Sequence, residues 1–160
     1  MQIEAGIITI SDRASRGQYD DLGGPALRQA AGERGWKILV ENLVPDERRD
    51  IQRAIRDQIE KGCNLILTTG GTGVALRDVT PEAVLEIAGR ELPGFGELMR
   101  MESVKITPNA ILSRNLAAVV NKTLVICLPG KPSGAVECLG FVAAAVPHCI
   151  EVLQQVPTSC

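Results

Sequence analysis

Apolar residues open this chain as a nearly unbroken block. From Ile3 to Ile10 they run with almost no polar alternation until Ser11-Asp12, the pattern of a strand covered on both faces. After a Gly17 to Gly24 loop, Pro25 opens a stretch with Ala26, Leu27, Ala30 and Ala31 at helical spacing, ended near Gly35. Ile38 to Val44 reads as a second strand, stopped by Pro45-Asp46. Glu47 to Lys61 then sets Ile51, Ala54, Ile55 and Ile59 on one helical face before Gly62. Leu65 to Thr69 is the third strand. Strand followed by helix, repeated, predicts right-handed crossovers and a parallel sheet, with ligands gathering at the strands' C-terminal ends.

The third strand runs directly into Gly70-Gly71-Thr72-Gly73. A helix is expected after Thr80-Pro81, with threonine as its cap, proline in its first turn, and Val84, Ile87 and Ala88 facing one way. Beyond Pro93-Gly94-Phe95-Gly96 lies a Met-rich helical segment. Leu116 to Val120 and Thr123 to Leu128 flank Asn121-Lys122 as a hairpin, which makes the sheet mixed. After the Pro129 to Gly134 loop, Val136, Leu139, Val142, Ala143 and Val146 mark a closing helix from Ala135, interrupted or kinked at Pro147. The expected architecture is α/β: a single domain over residues 1–160, a three-layer sandwich whose mostly parallel, mixed β-sheet has helices on both faces.

Composition narrows the partners. A net charge of -2 over 160 residues gives no electrostatic case for nucleic acid or an anionic membrane. The start lacks a basic flank and a cleavage-type site, and no apolar run is expected to reach the roughly 20 residues that span a bilayer. A soluble, unexported chain is the expectation. Cys63, Cys127, Cys138, Cys149 and Cys160 are odd in number, with no C-x-x-C pair, which fits a reducing compartment and structural thiols. His148 is read as packing or surface.

Candidate chemistry centres on Gly70 to Gly73. Glycines let the backbone turn sharply and present several N–H groups to an anion, and Thr72 adds a hydroxyl. Neither a Walker loop nor a dinucleotide fingerprint has this spacing, so a phosphate cradle stands beside a plain strand-to-loop turn. Asp78 sits outside the cap of the following helix, where a carboxylate could hold Mg²⁺ or orient an attacking oxygen. Asp46, just before a helix, is read equally as a cap and as a site residue. Ser11, Asp12, Asp46, Gly70 and Pro129 all end strands on one rim. Lys131 would bring positive charge there, although a lysine in a turn is commonly surface.

Thr69-Gly70-Gly71-Thr72-Gly73, Arg77-Asp78-Val79-Thr80-Pro81-Glu82, Pro93-Gly94-Phe95-Gly96-Glu97 and Leu128-Pro129-Gly130-Lys131-Pro132 follow one another in an order that resembles the molybdopterin adenylyltransferase family. That family includes the N-terminal domain of gephyrin, and the likeness runs from Ser11 through Ile111-Leu112-Ser113-Arg114 to the final helix. The resemblance implies a cytoplasmic homotrimer that binds molybdopterin and ATP, transfers AMP to the pterin's terminal phosphate, and releases pyrophosphate. It implies Asp46 and Asp78 as the catalytic pair and Mg²⁺ ligands, with no permanently bound cofactor. Gly70, Gly71, Thr72, Gly73 and Glu97 would line the nucleotide side. Ser11, Asp12, Ser113, Pro129, Gly130, Lys131 and Ser133 would contact the pterin. A molybdate-inserting enzyme would be a transient partner. The rival expectation is a trimeric pterin carrier that kept the pocket without the chemistry.

Overall fold

Burial on both faces explains the strands. In the computed structural model, which describes residues 1–155, β1 (Glu4–Ile10), β3 (Leu65–Thr69) and β6 (Thr123–Leu128) are buried almost throughout. They lie side by side in a six-stranded sheet completed by β2 (Lys37–Val44), β5 (Leu116–Val120) and β4 (Arg90–Glu91), in the order β2-β1-β3-β6-β5-β4. β1, β2, β3 and β6 are parallel; β5 runs antiparallel to β6, and β4 to β5. The mixed sheet is as expected. The two-residue β4 is too short to leave a periodic signal.

Helices cover both faces. On one, α2 (Gly23–Gly32), α5 (Pro93–Ser103), α6 (Pro132–Val142) and α7 (Val146–Leu153) bury Leu27, Ala31, Met99, Leu139, Val146 and Ile150 against Ile7, Leu67 and Ile126. On the other, α3 (Arg48–Glu60) and α4 (Thr80–Leu85) bury Ile51, Ile55 and Val84 against Ile8, Ile66 and Val125. Because β1 lies between β2 and β3, the strand order reverses direction there, which opens a crevice at the C-terminal ends of β1 and β3.

Several local expectations change. α2 starts at Gly23, before Pro25, because Asp21 Oδ1 accepts the Gly24 amide at 2.9 Å and satisfies a first-turn N–H. α6 starts at Pro132 instead of Ala135, and Pro147 does not kink a continuous helix but lies in the first turn of α7, after a 3₁₀ turn at Ala143–Ala145. Thr80 is not a cap: it is the first residue of α4, and its hydroxyl donates to Gly70 O at 2.9 Å.

Pro132–Leu153 also corrects the reading that no apolar stretch reaches membrane-spanning length, since its 22 residues pass by length and composition. Its Leu139, Val142, Val146 and Ile150 lie in the core against the sheet. Cys63, Cys127 and Cys138 are buried and Cys149 is half-buried; burial pushes the Cys63 thiol up to about 11 and Cys127 to about 12, as inert structural thiols require. Cys160 lies outside the described residues. His148 is exposed on α7.

Candidate active site

The glycine loop is shaped by what crowds it. Gly70 has φ +106° and Gly71 φ +66°, where a side chain is strained. A Cβ on Gly70 would stand 2.1 Å from Ile10 O, and one on Gly71 would stand 2.3 Å from Thr80 Oγ1 and 3.1 Å from Asp46 Oδ1. The loop therefore runs in contact with the end of β1, the start of α4 and a carboxylate. On its other side the Pro129-Gly130 loop closes down, with Thr69 Oγ1 donating to Pro129 O at 2.8 Å and the Gly70 amide to Leu128 O at 3.2 Å.

Two carboxylates flank this loop. Asp46 does not cap α3, whose N-cap is Glu47 without a side-chain bond; its Oδ2 accepts the Asp12 amide at 2.8 Å, and Asp12 Oδ1 accepts the Asp46 amide at 3.1 Å. The capping alternative for Asp46 is thus set aside. Desolvation, with the charges of Asp12 and Asp78 adding to it, raises the Asp46 pKa above the usual carboxylate value. Asp12 moves the other way, held down chiefly by its hydrogen bonds from Arg77, whose Nε and Nη2 reach it at 2.9 and 3.0 Å. Asp78 caps nothing either. Its Oδ2 accepts the Ala75 amide at 2.9 Å and lies 2.7 Å from where a Gly73 Cβ would be.

Around these groups lie two cavities that share a wall. The larger, about 750 Å³, is bounded by Gly71 to Val74, Arg100, Ser113 and the Pro129 to Gly134 loop. The smaller, about 350 Å³, is bounded by Thr9 to Ala14, Asp21, Asp46 and Thr69 to Gly71. Gly71, Asp78 and Gly130 border both. Pro129, Lys131, Ser113 and Ser133 meet in the larger cavity together with Thr72 and Gly73, whereas Ser11 and Asp12 line the smaller one beside Asp46 and Gly70. The residues grouped by resemblance as one pterin set are thus divided between two compartments. Glu97 is exposed on α5 and borders neither.

The larger cavity suits an anionic, hydrogen-bonding ligand. Arg100 and Lys131 stand in its wall, as does the start of α6, where first-turn amides favour negative charge. Ser113 Oγ and Asn115 Oδ1, in the same wall, are buried without a hydrogen-bond partner, and such atoms are rare unless something binds them. Sequence reasoning singles out neither Asn115 nor Arg114. The Arg114 guanidinium bonds to Gly73 O, Asp78 O and the Glu82 carboxylate, a role invisible in sequence because all three acceptors are more than 30 residues away.

The comparisons with known proteins agree on one family. The model of a probable molybdopterin binding domain matches residues 6–148. The chain is 46% identical over 154 residues to a molybdopterin adenylyltransferase of Helicobacter pylori strain J99, covering 94% of this chain and 88% of that one. It is 41% identical over 164 residues to gephyrin of Dictyostelium discoideum, covering 96% of this chain but 23% of that protein. Among solved structures, the molybdopterin biosynthesis enzyme MoaB of Thermus thermophilus superimposes with TM-score 0.91 at 40% identity, covering 99% of this chain and 100% of that one.

Proposed function

The chain belongs to the molybdopterin-binding domain family, and from that premise we propose that it is a molybdopterin adenylyltransferase of molybdenum cofactor biosynthesis. The observation that carries this reading is the shared wall: two compartments meet at Gly71, Asp78 and Gly130, as a transfer between two bound phosphorylated substrates requires. In this reading molybdopterin lies in the larger cavity, against Ser113, Asn115 and the Pro129 to Ser133 loop. The phosphates of ATP lie against Gly70 and Gly71, on the side of Ser11, Asp12 and Asp46. Glu97, outside both cavities, has no place in this single-subunit arrangement.

The terminal phosphate oxygen of molybdopterin attacks the α-phosphorus of ATP; a P–O bond forms, the α–β anhydride bond breaks, and pyrophosphate leaves. The chain's own contribution is positioning and electrostatics. Backbone N–H groups of the glycine loop face the phosphates, Lys131 and Arg100 hold the pterin's phosphate, and Asp46 and Asp78 border the transferring group. Among the described residues no cluster of three or more metal-ligating side chains is preassembled. Two carboxylates nevertheless fit the way Mg²⁺ is held alongside substrate phosphates. Asp46 and Asp78 each engage one oxygen in a backbone hydrogen bond, leaving the other to face a metal. When bound, Mg²⁺ would neutralise charge on the leaving pyrophosphate.

The same reading includes a cytoplasmic homotrimer that hands its adenylylated product to a molybdate-inserting enzyme. Its test is incubation with ATP, Mg²⁺ and molybdopterin. Pyrophosphate release that requires both substrates is expected; pterin binding without release would make the protein a carrier.

A further inference from the structure

The loop that carries Asp78 is closed on itself by two bonds, the Ala75 amide to Asp78 Oδ2 and the Asp78 amide to Ala75 O, both at 2.9 Å. Val74 is 68% and Leu76 100% exposed, and the nearest apolar anchor is Val79, packed against the core just beyond Asp78. Its Arg77 pairs with Asp12 and Glu47, but that side chain is half exposed and solvent-screened. Arg114 supplies what is missing. Its amide donates to Thr72 O at 2.8 Å, its Nε to Gly73 O at 2.8 Å, its Nη2 to Asp78 O at 2.7 Å, and its Nη1 pairs with the Glu82 carboxylate. One residue therefore grips the loop where it leaves the glycine turn, where it returns at Asp78, and at the first turn of α4. Arg114 itself borders neither cavity.

We propose that Arg114 is a positioning residue for the transfer reaction: it fastens both ends of the Gly73 to Asp78 segment, so that the Asp78 carboxylate keeps its place in the wall between the two cavities. The kinetic half of this claim rests on the adenylyl-transfer reading. The guanidinium suits the task because its planar fork donates in three directions at once, toward two carbonyls and a carboxylate. A lysine keeps the charge and the Glu82 pair but cannot span all three acceptors. Displacing a catalytic group by about 1 Å typically costs about 10²-fold in rate, so a loosened fastening should be felt in kcat.

The test uses the full chain as Arg114→Ala, Arg114→Lys, Asp78→Asn and the Asp78→Asn/Arg114→Ala double variant. Pyrophosphate release and amide hydrogen exchange are measured on each. Arg114→Ala should speed exchange across residues 71–79 by about tenfold while β3 and β6 stay protected. It should lower kcat about 10²-fold with both KM values within about threefold. Arg114→Lys should recover part of that loss, and it replaces the alanine variant if the latter fails to fold. Because Arg114 acts through Asp78, the double variant should be no slower than Asp78→Asn alone. Unchanged loop exchange, wild-type kcat in both single Arg114 variants, or losses that multiply in the double variant would overturn the proposal. A wild-type protein that released no pyrophosphate would sink the transfer reading separately. Loop exchange would then decide Arg114's positioning role alone, a loosened loop sustaining it and an unchanged one overturning it.

Discussion

Asp12 and Asp46 clasp each other end to end, the amide of each donating to the carboxylate of the other at 2.8 and 3.1 Å. The pair ties the exit of β1 to the exit of β2 and holds Asp46 beside the glycine loop. It also sets two carboxylates against one another, with opposite consequences for their protonation.

Asp46 has its pKa raised, chiefly by desolvation. Its contribution to stability is therefore full below its unfolded value and is lost as pH rises through its folded value. Asp12, held down by Arg77, contributes stability above its unfolded value that is lost as pH falls through its folded value. Asp46→Asn, whose amide oxygen can still accept from Asp12, should be no less stable than wild type at neutral pH. That advantage should shrink as pH falls through the Asp46 titration. Thermal unfolding followed across acid pH checks this, and a marked destabilisation at neutral pH would contradict it. Asp12→Asn removes one charge that raises Asp46 and should move the acid limb of activity to lower pH.

Asp78→Asn should lower turnover about 10²-fold or more, the usual cost of removing an electrostatic contact made to a transferring group, while leaving molybdopterin binding largely intact. Its remaining oxygen can still take the Ala75 amide. Asp46→Asn should lower turnover similarly. Steady-state pyrophosphate release with separate pterin titrations measures both, and more than about a tenth of wild-type activity in either would contradict the assignment.

Gly71→Val places a branched side chain at φ +66°, against Thr80 Oγ1 and Asp46. It should weaken ATP more than molybdopterin, because the loop's phosphate-facing amides move while Ser113 and the Pro129 to Ser133 loop remain. Calorimetric titration of each ligand measures the difference. Equal weakening of both would indicate a general folding defect.

A homotrimer is expected in solution. Among the exposed apolar residues, Met101, Ile106, Ile111 and Leu112 fall within one short stretch of chain, and Ile106 and Leu112 border the larger cavity; closed symmetry is the common way to cover such a surface. Light scattering at micromolar concentration should give three times the chain mass. A monomer mass that persists as concentration rises would contradict it.

The buried strands are legible because β1, β3 and β6 are apolar on both faces, and the helices α2 and α3 because Leu27, Ala31, Ile51 and Ile55 recur at helical spacing. The short α1 (Asp12–Ser15), β4 and the 3₁₀ turn at Pro108–Leu112 are not, since a few residues carry no period. Thr80 reads wrongly as a cap because cap chemistry looks forward along the helix, whereas its hydroxyl reaches back to Gly70. Strand order is enough to place Asp12 and Asp46 on one rim with Gly70. It cannot divide that rim into two cavities, because the wall is made by Pro129-Gly130 folding onto Gly70-Gly71, with the Thr69 to Pro129 bond spanning 60 residues.

The most direct test of the central claim follows the α-phosphorus. With ATP labelled at that position, Mg²⁺ and molybdopterin, adenylyl transfer through the shared wall predicts that label appears on the pterin in step with unlabelled pyrophosphate, one for one. Molybdopterin that binds and stays unlabelled, with no pyrophosphate formed, would contradict it and leave the protein a carrier.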